Sequence, residues 1–500
     1  MTFSLVGKRF CIENRYKGTI LFQGNLENVE GTWLGIEWDD LERGKHNGEH
    51  NGVKYFNPKV ANCGSFVKMN DKFINNANFG TSFLAALSEK YSASDEIYDQ
   101  GLIAFGGSNI MVETVGFKKI ENKITRLESL EEIGISDYSI SEIDNPEEIQ
   151  EKLQSVREID LSKNLIASWN EVLNLHCLSK LDTLRLNLNR FYIDECIKNV
   201  KFENLKVVSL NHTFLTWPEF LLIEESMPCL EELSLAFNEL KDLNEDLTNK
   251  LRHLKVLNLE HNSFTDWKNI SQLAKLPSLK CLKLNNNQFC DVVEEGVEFL
   301  NLETLNLNAN KFDKIGILNE LSKMKKLKEL RIGGNPFCVE FKSNLLIEAV
   351  GRIAGLEKFN GSSITKDNRL NFERYYVNKQ LQRSESLEEI IKENPRLKEL
   401  CSKHEIELQK IQSESSKSNL ASNFIEFEIR GNKISLKKKF PKNLTISKLK
   451  LLLQKLLKIE IKNISINSVE ANELVELDCD HFQISSYGNF KHNDILIINK

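Results

Sequence analysis

No two of the ten cysteines in this 500-residue chain form a CxxC pair, which removes the usual mark of a zinc ribbon or a dithiol redox centre. They are scattered singly, some near turns and some, Cys281 among them, expected inside repeat cores, and are expected to be reduced thiols acting as small hydrophobes. No apolar run reaches membrane-spanning length, so no membrane insertion is expected. The opening MTFSLVGKRFCIEN lacks the apolar stretch and small-residue cleavage site of a secretory signal, and a cytoplasmic, cytoskeleton-facing chain is expected. Basic excess is missing too: 66 Lys+Arg stand against 72 Asp+Glu, which gives no case for nucleic-acid binding. Walker-type glycine loops, HExxH and GxSxG segments are absent, and His253, His261 and His404 are widely scattered. Neither an enzyme nor a cofactor or metal site is expected.

What is present is periodic. The segments VREIDLSKNLI, LDTLRLNLNRF, LKVVSLNHTFL, LEELSLAFNEL, LKVLNLEHNSF, LKCLKLNNNQF, LETLNLNANKF and LKELRIGGNPF each end near an asparagine or its one substitute. These fall at Asn164, Asn189, Thr213, Asn238, Asn262, Asn287, Asn310 and Asn335, with gaps of 25, 24, 25, 24, 25, 23 and 25. This is the leucine-rich-repeat pattern, one short strand and a return per unit. Alternation sets Leu233 and Leu235 inward and Glu232 and Ser234 outward. The asparagines are expected to hydrogen-bond turn backbone that stacking would otherwise bury unpaired. Thr213, with a shorter side chain, predicts a looser repeat.

Outward positions predict a polar concave wall of mixed sign: Glu158, Asp160, Arg185, Glu232, Lys255, Asn258, Lys283, Asn306, Glu329 and Arg331. Such a wall suits a protein partner better than a phosphate backbone. Ile133 to Leu153 is expected to cap the first repeat, and Asn335 to Phe359 to close the last with a helix, before a polar tail through Tyr375 and Tyr376.

Ahead of the repeats, residues 1–85 are glycine-punctuated short strands (KGTILFQG, TWLGIEW, GVKYF, GSFVKM), which predict a compact antiparallel β module. The string WLGIEWDDLERGKHNGEHNGVKYF followed by GSFVK resembles the CAP-Gly domain. That resemblance implies a groove for acidic C-terminal tails, those of α-tubulin and some end-binding proteins, which finish in glutamates and an aromatic residue. The family's usual GKNDG loop matches Gly44, Lys45, His46, Asn47 and Gly48, with His46 where asparagine is usual and Asn47 where aspartate is usual. Lys45 is then the cation for a tail carboxylate, Asn47 and the turn amides hold its backbone, and Trp33, Trp38, Phe56 and Phe66 are the aromatic walls. The exposed turn itself is expected to have no packing role.

Residues 86–130 connect the module to the repeats, including DQGLIAFGGSNIMVETVGF, which receives no assignment; the solenoid with its caps spans 131–376. Residues 377–422 predict a charged, partly helical linker or stalk, disordered across SESSKSNLASN. In residues 423–500 the order changes to a hairpin (FIEFEIRG, NKISLKKKF), a helix (LTISKLKLLLQKLLKI) capped by Thr445, and strands NISINSV and DILIIN. This resembles the ubiquitin-like β-grasp fold, ending in IINK without a conjugating diglycine; Lys437, Lys438 and Lys439 are read as a soluble strand edge.

The fold class is thus multidomain: a β-rich CAP-Gly module, an α/β leucine-rich-repeat solenoid and a ubiquitin-like domain. That order resembles the tubulin-folding cofactor E family. The resemblance implies α-tubulin and its acidic tail, the α/β-tubulin heterodimer and other tubulin-folding cofactors as partners, with ubiquitin- or proteasome-pathway proteins a further class. The rival reading is a cytoskeletal adaptor that binds acidic tails without chaperone activity.

Overall fold

A computed structural model describes residues 4–92, 102–104, 111–113, 127–193, 196–243, 250–291, 299–341, 344–408, 424–431, 434–441, 444–457, 463–468, 473–476, 484 and 495–499. It divides into two compact units, Met1–Asn310 and Lys311–Lys500.

In the first unit, five antiparallel strands lie in the order Gly64–Lys68, Val29–Trp38, Tyr16–Leu26, Arg9–Ile12 and Ala77–Asn78. The period-two alternation of Val29–Trp38 separates two faces. Leu34, Ile36 and Trp38 are buried with Leu5, Phe10, Ile20 and Phe73, while Trp33, Gly35 and Glu37 belong to the other face. Helix Asp71–Asn76 starts where the Asn70 side chain accepts the Phe73 N–H at 2.9 Å, a cap that seats Phe73 in the core.

The repeats follow as eight three-residue parallel strands: Glu132–Gly134, Glu158–Asp160, Thr183–Arg185, Val207–Ser209, Glu232–Ser234, Val256–Asn258, Cys281–Lys283 and Thr304–Asn306. Leu233 and Leu235 are buried and Glu232 is exposed, as the alternation requires. The stretch expected to cap the first repeat opens with a rung of its own, Ile133 opposite Ile159, before helix Pro146–Lys152. Cys281 sits beside Val256 and Thr304 on the outward face, half-buried. It is Leu282, one residue on, that fills the core, so the expectation for Cys281 was off by one strand position.

The asparagine column is a hydrogen-bond ladder. Asn262 Nδ2 donates to Leu235 O and Leu259 O at 3.0 Å, and its Oδ1 accepts from the Asn238 and Leu240 amides at 3.0 Å, so one side chain ties neighbouring repeats together. Thr213 is fully buried and its hydroxyl donates to Leu210 O at 2.9 Å. The expected looseness is therefore not at Thr213 itself; it is the neighbouring Asn189 whose Oδ1 is buried without a partner. The residue just before each column position from Asn164 to Asn310, namely Lys163, Leu188, His212, Phe237, His261, Asn286 and Ala309, is left-handed with φ of 52 to 60°. Strands Leu102–Ala104 and Met111–Glu113 pair antiparallel; the rest of the unassigned connecting stretch lies outside the described residues.

The second unit holds strand Glu329–Arg331, parallel to Lys358–Phe359, and helices Pro336–Phe341 and Leu345–Arg352 in the expected closing segment. The expected polar tail is instead part of helix Lys366–Leu381, with Tyr376 buried and its hydroxyl donating to Asn394 Oδ1 at 2.5 Å. The expected linker at 377–422 is corrected in the same way. Val377, Leu381, Ile390, Leu397, Leu400 and Cys401 share one buried cluster with Ile347, Val350 and Phe372, so helices Leu387–Glu393 and Leu397–Lys403 are packed structure and not a stalk. Their many charges misled because they occupy the outer faces and one buried centre. There Glu373, fully buried, accepts from Arg396 at 3.0 Å, Lys403 at 2.7 Å and His404 at 2.9 Å. SESSKSNLASN lies outside the described residues.

The terminal sheet has the order Ile434–Pro441, Phe424–Gly431, Ile495–Asn499, Asn463–Ser468, Glu473–Glu476, with Phe424–Gly431 parallel to Ile495–Asn499 and helix Ile446–Leu457 between. Parallel central strands with antiparallel flanks and one crossing helix are the β-grasp arrangement. Thr445 accepts the Lys448 N–H at 3.4 Å, and Lys437, Lys438 and Lys439 are exposed on the edge strand. Strand Glu473–Glu476 was not anticipated.

Candidate functional site

On the sheet face opposite the core of the first module, Gly35 lies across from Phe66 on one neighbouring strand and Phe22 on the other. Directly opposed residues share a face, and an aromatic floor results. Phe66 meets Phe56 at 5.4 Å, Tyr55 at 5.6 Å and Phe22 at 6.3 Å, all edge-on. Gly35 is glycine for space, since a Cβ would stand 2.4 Å from the Phe56 ring. Trp33, two residues along the same strand, is half-buried on this face and its Nε1 is buried without a partner, as is Nε2 of His50. Both are polar atoms that a bound chain could satisfy.

The Gly44–Gly48 turn rides on this floor. Lys45 and His46 donate their amides to Gly64 O at 2.8 and 3.2 Å, and Gly64 returns its N–H to His46 O at 2.9 Å. His46 stacks on Phe66 at 4.9 Å, and its Nδ1 accepts the Gly48 N–H at 3.0 Å, which makes the ring neutral at that nitrogen. Burial pulls the His46 pKa below its ordinary 6.5, His50 adds to that, and Glu49 opposes it. Gly48 needs to be glycine twice over, with φ of +82° and a would-be Cβ 2.0 Å from Phe56 O. A Cβ on Gly44 would stand 2.2 Å from Asn62 O.

Of the expected groove residues, the fold therefore gathers Trp33, Gly44, Lys45, His46, Asn47, Gly48, Phe56 and Phe66 in one region, with Lys45 and Asn47 exposed. Trp38 is excluded. Strand alternation turns it into the opposite core, where it meets Phe10 at 5.6 Å and the Arg43 guanidinium at 4.4 Å. The turn expected to have no packing role is packed, through His46 and both glycines. The Asn47 Oδ1 expected to hold a ligand already accepts the Asn62 N–H at 2.5 Å, which leaves its amide nitrogen as the donor end. Phe22, Tyr55 and His50 were missed; Tyr55 stands beside Phe56 in VKYF and was readable, whereas Phe22 depends on strand register.

The solenoid wall is less open than its sequence suggests. Arg185 pairs with Glu158, Lys255 with Glu231 at 2.6 Å, and in the second unit Arg331 with Glu329 at 3.0 Å. Asn306 accepts the Asn308 amide at 3.1 Å and donates to Asn285 at 2.8 Å, and Asn258 accepts from Glu260 at 3.0 Å. Glu232 is exposed and Lys283 half-buried. Opposite charges close enough to pair have lost part of their pull on a partner.

A contact that sequence gave no sign of joins the module to the first repeats. Arg9 grips Asp39 with two bonds of 3.0 and 2.6 Å, and Arg190 from the solenoid approaches the same carboxylate at 3.9 Å. Burial works against the Asp39 charge, yet the Arg9 guanidinium, with Arg190 and Lys17, holds its carboxyl below the usual range. Lys17 meets Asp137 at 2.5 Å, Lys59 meets Glu219 at 2.7 Å, and Tyr192 donates to Glu37 at 2.6 Å. Burial and the Glu37 carboxylate both push the Tyr192 phenol up, so it stays a proton donor.

Known families agree with this geometry. The CAP-Gly domain model matches residues 6–72 and the leucine rich repeat model residues 228–289. The Arabidopsis thaliana tubulin-folding cofactor E is 29% identical over 479 residues, covering 90% of this chain and 88% of that protein. The Xenopus laevis tubulin-specific chaperone E is 33% identical over 58% of this chain and 54% of its own length, and the Mus musculus protein 34% over 57% and 54%. The match thus spans about half the length of these animal relatives. Among solved structures, the C-terminal ubiquitin-like domain of mouse tubulin-specific chaperone e is 24% identical, covering 17% of this chain and 91% of that one, with a TM-score of 0.15.

Proposed function

We propose that this chain, which belongs to the tubulin-folding cofactor E family, is a non-enzymatic chaperone that holds one α-tubulin molecule at two points. The acidic, aromatic-ended tail enters the groove: Trp33, Phe56 and Phe66 take the aromatic end, and Lys45 with the Asn47 amide meets carboxylates. The solenoid takes the folded body, with Arg185, Glu232, Lys255, Asn258, Lys283, Asn306, Glu329 and Arg331 as candidate contacts. What carries the reading is the aromatic floor beneath a glycine-pinned turn whose one lysine is exposed. Two weak contacts on one chain raise the effective local concentration of each for the other, so the pair retains what neither holds alone.

Binding energy offered to monomeric or deformed α-tubulin shifts the α/β heterodimer equilibrium without a nucleotide. The chain can in this way assist assembly beside other tubulin-folding cofactors and also dissociation. The ubiquitin-like domain is then a docking site for a cofactor or for ubiquitin- or proteasome-pathway proteins.

Lys45→Ala is expected to weaken binding of a synthetic acidic, aromatic-ended peptide more at low salt than at high salt, because an exposed charge is screened as ionic strength rises. Titration calorimetry at both salt levels checks this, and equal affinity for both proteins throughout rejects the role of Lys45. Mixing the purified chain with tubulin dimers separates chaperone from adaptor. A chaperone captures α-tubulin monomer or changes subunit exchange, and an adaptor leaves the dimer fraction as it was.

A further inference from the structure

The strip of chain from Phe56 into the strand Gly64–Lys68, residues 57–64, has a different neighbour on each side. On one side is the Gly44–Gly48 turn. Asn62 donates to Asn47 Oδ1, Gly64 exchanges bonds with Lys45 and His46, and Gly44 is pressed so close that a Cβ would lie 2.3 Å from Cys63 Cα. On the other side is the solenoid. Val60 and Cys63 are buried against Phe214, and Lys59 donates to Phe191 O at 2.8 Å and to Glu219 at 2.7 Å. Glu37 ties the two sides together, taking the Val60 N–H at 3.1 Å on one oxygen and the Tyr192 hydroxyl at 2.6 Å on the other.

A short strip bonded on both sides is a contiguous physical link through which the turn and the solenoid can be coupled. We infer that the solenoid residues Tyr192 and Glu219 are positioning residues for the tail groove: by holding residues 57–64 in place they set the Lys45 turn, so the CAP-Gly module grips a tail fully only while docked on the first repeats. The inference rests on the groove reading above and extends it, because it assigns part of the tail affinity to side chains outside the module. Linkage makes the effect reciprocal, so a tail seated in the groove tightens the docking by the same factor.

The probe is Tyr192→Phe combined with Glu219→Gln in the full chain. Both substitutions keep shape, remove the hydroxyl from Glu37 and the charge from Lys59, and spare every residue of the groove. Hydrogen exchange followed by mass spectrometry, without any peptide, reads the Asn62, Gly64 and Gly48 amides. Faster exchange there, with the strands Val207–Ser209 and Arg9–Ile12 unaltered, is the expected result. The acidic, aromatic-ended peptide should then bind about fivefold more weakly, a coupling of ordinary size. Unchanged exchange in the turn overturns the inference even if the unaltered protein binds no such peptide, an outcome that separately removes the groove reading. Faster exchange with full peptide affinity overturns it as well. General unfolding of the double variant, seen as faster exchange everywhere, is resolved by Tyr192→Phe alone, for which the same turn-limited acceleration is required.

Discussion

His46 shows how one substitution in a familiar loop changes what the loop responds to. Its Nδ1 is an acceptor for the Gly48 amide, a bond that a protonated ring cannot make. Because the folded pKa lies below the ordinary 6.5, the unfolded chain takes up the proton first. The stabilisation is therefore complete above about pH 6.5 and is lost as pH falls through the folded value. Exchange at the Gly48 amide is expected to accelerate between pH 7.5 and pH 5 beyond its intrinsic pH dependence, and His46→Asn, which keeps an acceptor but cannot titrate, is expected to abolish that excess. A wild-type profile parallel to that of His46→Asn would remove the switch. The motif was legible in the sequence as GKHNG; the titration was not, since it depends on Phe66 lying under the ring.

At the scale of the element, the rungs were legible because every strand is buried on one face and its period cannot slip without exposing leucine. Even so, the first rung, Glu132–Gly134, was read as a cap, because Tyr138 stands where the later repeats carry their asparagine signal. Thr213 is buried and bonded but short of one link: its hydroxyl reaches Leu210 O and Asn238 Oδ1, not the carbonyl of the preceding repeat, which Asn262 Nδ2 does reach at Leu235. Thr213→Asn is expected to add a bond across repeats and raise stability by about 1 kcal/mol, measurable as a higher midpoint in urea unfolding. A lower midpoint would mean that the Asn238 side chain leaves no room. The helices after the solenoid were misread for a physical reason: Glu373 and its basic partners look like surface charge in a sequence. Burial opposes the Glu373 charge, yet bonds from Lys403, His404 and Arg396 hold its carboxyl below the ordinary glutamate range. Glu373→Gln, which leaves Arg396 and Lys403 facing a neutral amide, is expected to cost about 3 kcal/mol in the same unfolding measurement.

For the whole molecule, domain order was readable from motifs, whereas the docking of the first module was not. The residues that make it, Arg9, Asp39, Glu37, Lys59, Arg190, Tyr192 and Glu219, lie far apart in the chain and follow no period. Arg9 and Arg190 are almost completely buried, and Asp39 neutralises both. Removing that charge leaves two buried guanidinium groups together, and Asp39→Asn is expected to cost about 3 kcal/mol at this junction. Native-state exchange should then show the amides of Tyr16–Leu26 opening before those of Val207–Ser209, where the unaltered chain opens both together. Simultaneous opening in the variant would mean that apolar contacts such as Val60 on Phe214 suffice.

The docking also fixes where this architecture can change length. Its solenoid anchors run from Asp137 through Lys163, Arg190, Tyr192 and Phe214 to Glu219, a span of four consecutive rungs. Gaining or losing one unit inside that span would shift half the anchors by a full rung and tear the module away, but the same event after Glu219 leaves every anchor where it was. Natural variation in repeat number, and any engineered extension of the array, should accordingly concentrate beyond the unit that contains Phe214.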